Sequence, residues 1–175
     1  VDEATEDITK MAAMSPSETT YFDTSVAAHA KHRIAWLLIL MFSSTITGSI
    51  ITKYKNAFAA IPLLVSFIPM LMDTGGNCGS QSSTLIIRGI ALGEIRFSDL
   101  FRVMFKEFRV SLIVGVVLAL ANGLRILIMY RNAGLALVIG LSLVATVIIS
   151  KLIGCLLPLF AKKLHMDPAI MASPL

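Results

Sequence analysis

"AFAAIPLLVSFIPMLMDTGGNCGSQSSTLII", residues 57–87, is 31 residues long and greasy at both ends, with Asp73, three glycines, Asn77 and Gln81 in its middle. As an unbroken helix it would reach about 46 Å, against a bilayer core of about 30 Å. Pro62 and Pro69, then Gly75, Gly76 and Gly79, predict a tilted, kinked or locally unwound segment. Unwound backbone at membrane depth survives only when it is buried in protein or lines a water-filled cavity. A carboxylate near the bilayer centre costs roughly 2.5–3.5 kcal/mol, so Asp73 marks a functional site by default. Residues 73–81 are therefore expected to face a polar interior.

The rest of the chain agrees with a membrane setting. Of 175 residues, 56% are apolar and 15% charged, with a mean hydropathy of +0.81. A soluble domain would carry nearer about 25% charged residues. Apolar blocks predict an all-α integral membrane protein with spans near 34–51, 57–87, 110–130 and 133–160, and a fifth beginning at 168. Residues 1–33 are polar and hold six of the eleven acids. The acidic opening "VDEATEDITK" has neither an initiator Met nor a signal sequence, which suggests a piece of a longer polypeptide.

Charge placement sets an orientation. With the N-terminus cytoplasmic, nine basic residues fall inside (among them Arg88, Arg96, Arg102, Lys162 and Lys163) against four outside: Lys53, Lys55, Arg125 and Arg131. The stretch from Arg88 to Arg109 then reads as an amphipathic cytoplasmic connection. Lys151 is left within the fourth span, where its long stem is expected to snorkel to the interface. Cys78 and Cys155 read as buried free thiols.

Asp73, Asn77 and Gln81 recur at i, i+4 and i+8 and so share one helical face. Their oxygens, with the hydroxyls of Ser80 and Thr84, are hard ligands suited to Mg²⁺ or Ca²⁺. Mg²⁺ gives up water reluctantly, so one or two acidic groups beside a mostly hydrated ion suffice. Two bland readings compete. Gly75 with Gly79, and Gly89 with Gly93, are small-xxx-small pairs that pack helices. The glycine run is a poor phosphate cradle, since no strand precedes it and no Lys follows. His29, His32 and His165 are scattered, and no metal cluster, Ser-His pair or Cys-His pair is apparent, so an enzyme is not expected. Nothing calls for nucleic acid.

Four stretches carry a resemblance: "EATEDITKMAAM", "TSVAAHAKHRIAWLLILM", "PMLMDTGGNCGSQSSTLIIRGIALGEI" and "LLPLFAKKLHMDPAIMASPL". In this order they are similar to the MgtE family of magnesium channels and transporters. The resemblance implies a homodimer in the inner membrane, five transmembrane helices per subunit, and a pore near the two-fold axis lined mainly by helices two and five. It implies inward Mg²⁺ conduction that closes when cytosolic Mg²⁺ is plentiful. Closure would involve an N-terminal domain and CBS domains outside this chain. Residues 1–33 would hold the tail of the CBS region and an amphipathic plug helix (about 17–33), and 34–175 the pore domain. By position, Gly75, Gly76 and Asn77 match neighbours of the pore ion, with Asp73 one turn earlier and Gly79 and Gln81 lining the pore. Asp167 matches the acid that opens the fifth helix, and Glu3, Glu6 and Asp7 match an acidic patch for regulatory Mg²⁺. The family's main pore carboxylate would lie beyond Leu175. Two other readings use the same residues: an ion-coupled exchanger of another divalent cation, and a non-conducting membrane assembly subunit.

Overall fold

The computed structural model describes residues 22–23, 25–165 and 167–168. Among them the chain is helical throughout: α1 (Val26–Lys53), a short α2 (Lys55–Ala60), α3 (Ile68–Ala91), α4 (Leu100–Tyr130) and α5 (Ala133–Lys163). The segments Pro62–Phe67 and Phe97–Asp99 are turns of 3₁₀ helix. Two helices, Phe97–Tyr130 and Ala133–Lys163, are long and apolar enough to cross a membrane, and Leu37–Lys53 is a shorter apolar helix.

Local chemistry sets the boundaries. The Ser25 hydroxyl accepts from Ala28 N at 3.2 Å and starts α1. Within α1, Thr45, Thr47, Ser49 and Thr52 each donate to the carbonyl four residues back, which satisfies their hydroxyls inside an apolar rod. The stretch around residues 26–33 is continuous with the apolar part of α1, so Lys31 and Arg33 head one rod of 28 residues. Gly93, at φ 72°, takes the left-handed turn that ends α3. Asn132 accepts from Leu135 N at 2.9 Å and starts α5. Arg131, at φ 49°, makes the tight reversal before it.

The kink expected within residues 57–87 is present, while two other expectations need correcting. Residues 57–87 do not form one helix. The break falls at Ile61–Phe67, where Pro62 cannot continue a helix, and Pro69 sits in the first turn of α3. The glycine run 75–79, expected to unwind, is regular α-helix. Its neighbours on α5 are small enough for the glycines to pack instead of bend. The expected connection from Arg88 to Arg109 also shrinks to the turn between Ala91 and Leu100, with Arg102, Lys106 and Arg109 already on α4.

α3, α4 and α5 form the packed unit. α4 and α5 are an antiparallel hairpin, and α3 runs parallel to α5: Phe67 packs with Leu135 and Ile139 at one end, Ile86 with Cys155 and Leu159 at the other. Both Phe67 and Ile86 are buried. Between these apolar clusters the helices meet through glycines. A Cβ on Gly75 would lie 3.0 Å from Ser150 Oγ, and one on Gly115 3.2 Å from Val144 Cα. α1 stands largely apart with its apolar residues exposed, Met41 and Phe42 among them.

Candidate functional site

α3 has two faces. Gly75, Cys78, Ser82, Ser83, Ile86 and Gly89 are buried. Asp73, Gly76, Asn77, Gln81 and Thr84 are exposed. At about 100° per residue, Asp73, Asn77 and Thr84 fall within about 40° of one another. The structure thus gathers the carboxylate, the amides and a hydroxyl onto one open face, as the spacing implied. Nothing lies within 4 Å of a Cβ built on Gly76, whereas Gly75 sits against Thr146 and Ser150 and Gly79 against Ser150. Gly76 therefore belongs to the open face, and Gly75 and Gly79 make the contact with α5. Gly89 packs against Ile95 of the following turn, and Gly93 serves that turn, so this second pair does not join two helices.

The remaining expected site residues are dispersed. Asp167 is half-buried beyond the end of α5. Glu3, Glu6 and Asp7 lie outside the described residues, as does the expected fifth span beyond Pro168. Among the described residues no three His, Cys, Asp or Glu side chains converge as a metal cage. The open face of α3 can therefore offer an ion a line of oxygen contacts, with water completing its coordination.

Behind that face lies a second polar feature. Lys151 is only 5% exposed, so it does not snorkel. Its Nζ donates to Ser82 Oγ at 3.2 Å and stands 3.9 Å from Glu107 Oε2. Ser82 Oγ, fully buried, donates to the same Glu107 oxygen at 2.6 Å. One residue from each of α3, α4 and α5 thus meets in a buried, electroneutral cluster. Snorkelling fails because Lys151 points into the three-helix unit, where Glu107 offsets its charge. Glu107 was missed because Lys106 and Arg109 flank it and the stretch reads as solvated. A usable signal exists, since Val103, Glu107, Ser111 and Gly115 recur every fourth residue and all are buried.

Near the opposite end of the unit, Arg125 Nε donates to Asn122 Oδ1 at 3.1 Å and its guanidinium lies 5.7 Å from the Phe67 ring centroid. At the basic end, Lys163 Nζ stands 4.4 Å from the centre of the Phe97 ring.

The profile of a family described as divalent cation transporter, MgtE, matches residues 68–175. The chain belongs to the MgtE family. The magnesium transporter MgtE of Bacillus subtilis is 37% identical over 175 residues, covering 100% of this chain and 38% of that protein. The protein of the same name from Thermus thermophilus is 36% identical, over 99% of this chain and 38% of its own length. That from Enterococcus faecalis is 29% identical over a similar share. The chain therefore spans about two fifths of the MgtE relatives it matches. The MgtE match takes in α3, the hairpin and the residues after it, including both faces of α3 and the buried cluster.

Proposed function

We propose that this chain is the membrane part of a magnesium transporter and passes largely hydrated Mg²⁺ toward the cytoplasm through a pore that includes the open face of α3. The observation that carries this reading is that face itself. Asp73, Asn77, Gln81 and Thr84 are exposed on the helix between two apolar ends, and no part of the described chain covers them. Polar groups at membrane depth need a water-filled or protein-lined surrounding. A second copy facing the first across a two-fold axis would supply it and enclose a path between two α3 helices. The names of the MgtE relatives point to Mg²⁺ as the ion.

In this reading α1, α3, α4 and α5 are four of five spans and the fifth begins near Asp167. The fold places Arg88, Arg96, Arg102, Lys162 and Lys163 at one end of the α3–α5 unit, which supports that end as cytoplasmic under the positive-inside rule. It also supports a multi-pass protein of the inner membrane with a cytoplasmic N-terminus. The CBS and N-terminal regions of the same polypeptide would regulate closure, with Glu3, Glu6 and Asp7 contributing to regulatory Mg²⁺. Hydrated passage agrees with a face that offers few ligands, with selectivity set by charge and width.

The test is Mg²⁺ flux into proteoliposomes carrying the full-length protein, with Asn77→Ala and Gly76→Leu variants. A side chain at Gly76 meets no neighbour within 4 Å, so Gly76→Leu is expected to leave the fold intact while blocking the open face. Each variant should lower flux by about tenfold or more, Asn77→Ala through loss of an ion contact worth about 1.4 kcal/mol and Gly76→Leu by obstructing the open face. Wild-type flux in both would take these residues out of the path, and no flux in the wild type would favour an assembly subunit. Reversal potentials under imposed ion gradients separate a channel from an ion-coupled exchanger.

A further inference from the structure

We propose that Glu107, Ser82 and Lys151 are positioning residues that fix the rotation of α3 about its axis, and so decide which of its side chains face the ion path. Its functional consequence rests on the transport reading given above, but the rotation itself does not.

The contact between α3 and α5 is smooth. Gly75 and Gly79 of α3 meet Thr146, Ser150 and Gly154 of α5, and the backbones approach so closely that a Cβ on Gly154 would strike the Gly79 carbonyl. Glycines allow that approach, and the seam admits no side chain, so it selects which face of α3 meets α5 by steric exclusion but supplies no bond that fixes the fine rotation. A one-residue slip would turn α3 by about 100° and carry Asn77 away from its face. A directional restraint would add to that steric one.

The buried cluster has that property. Ser82 lies about 180° around the helix from Asp73 and about 140° from Asn77, so it anchors the back of α3. Its hydroxyl is held from both sides, accepting from the Lys151 ammonium on α5 and donating to the Glu107 carboxylate on α4. Hydrogen bonds to charged groups are directional and roughly twice as strong as neutral ones. The carboxylate also offsets the ammonium, so no net charge is buried behind the polar face. The neighbouring ionisable groups on the packed faces are the thiols of Cys78 and Cys155, both buried.

Cys78 provides a native reporter. It is buried, while Asn77 one residue earlier is open. Rotation of α3 that brings Cys78 toward the open face raises its reactivity and lowers that of a thiol placed at 77, whereas general loosening raises Cys78 and leaves the already open position 77 unchanged. The experiment uses the full-length protein in detergent and in proteoliposomes, with Cys155→Ala throughout and modification by a water-soluble methanethiosulfonate. Ser82→Ala is expected to speed Cys78 modification by about tenfold and to slow modification of Asn77→Cys (made with Cys78→Ala), since a hydrogen bond to a charged group is lost. Ser82→Thr, which keeps the hydroxyl, should behave as wild type. The single reversals Glu107→Lys and Lys151→Glu should behave like Ser82→Ala or worse, and the double exchange should restore the wild-type pattern. In the same preparations Ser82→Ala should raise the half-saturating Mg²⁺ concentration more than it lowers maximal flux. Unchanged reactivity in Ser82→Ala, a rise at 78 with no fall at 77, or a double exchange that restores nothing would overturn the proposal. If the wild type carries no Mg²⁺, the transport reading falls, and the thiol pattern still decides the positioning role.

Discussion

Gly154→Ala is expected to destabilise the α3–α5 contact strongly, although it adds a single methyl group. That methyl would land on the carbonyl, carbonyl carbon and Cα of Gly79, all of them backbone atoms. Backbone cannot swing aside as a long side chain can, so the two helices must separate along their length. Overpacking a tight core costs about 1–3 kcal/mol, and obstruction by a neighbouring helix backbone places this case at the upper end. The change gains about 1 kcal/mol of helix propensity, too little to offset the clash. Thermal unfolding of the purified full-length protein measures the difference. Gly76→Ala is the control: its methyl meets nothing within 4 Å, so the variant should be as stable as wild type or more so. Equal losses in the two variants would mean that α3 and α5 do not cross at Gly79 and Gly154.

Removing Glu107 is expected to have the largest effect of any single change. Glu107→Ala leaves the Lys151 ammonium buried with only the Ser82 hydroxyl near it. Breaking a buried ion pair from one side costs about 3–5 kcal/mol, because the remaining charge is desolvated without compensation. The double variant Glu107→Gln with Lys151→Met should recover most of that loss, since neutral replacements of similar volume are often tolerated. The same unfolding assay scores both. A Glu107→Ala protein as stable as wild type would show that the pair does not hold the three helices together.

Much of the open face was legible in the sequence, for a simple reason. Asp73, Asn77 and Gln81 lie close together in the chain, and helical periodicity alone places them on one face. The break in the second apolar segment was half legible. Pro62 announced it, but the glycines drew attention to the wrong place. Glycine in a helix can mean either a bend or a close neighbour, and only the position of Thr146, Ser150 and Gly154 on α5 decides between them. Glu107 and Lys151 were illegible as a pair. They lie in different helices, each beside residues that make its charge look exposed, and their meeting depends on how the α4–α5 hairpin folds back on α3.

Composition, helical period and motif are properties of neighbouring residues, and they alone mark this chain as an all-helical MgtE-family segment with a polar stripe in an apolar helix. Which glycines pack and which stay open emerges only from the assembled helices, as does the lysine expected at the membrane surface but held inside by a glutamate from another helix. Both depend on the rotation of α3 against α4 and α5, which is set by contacts among residues distant in sequence.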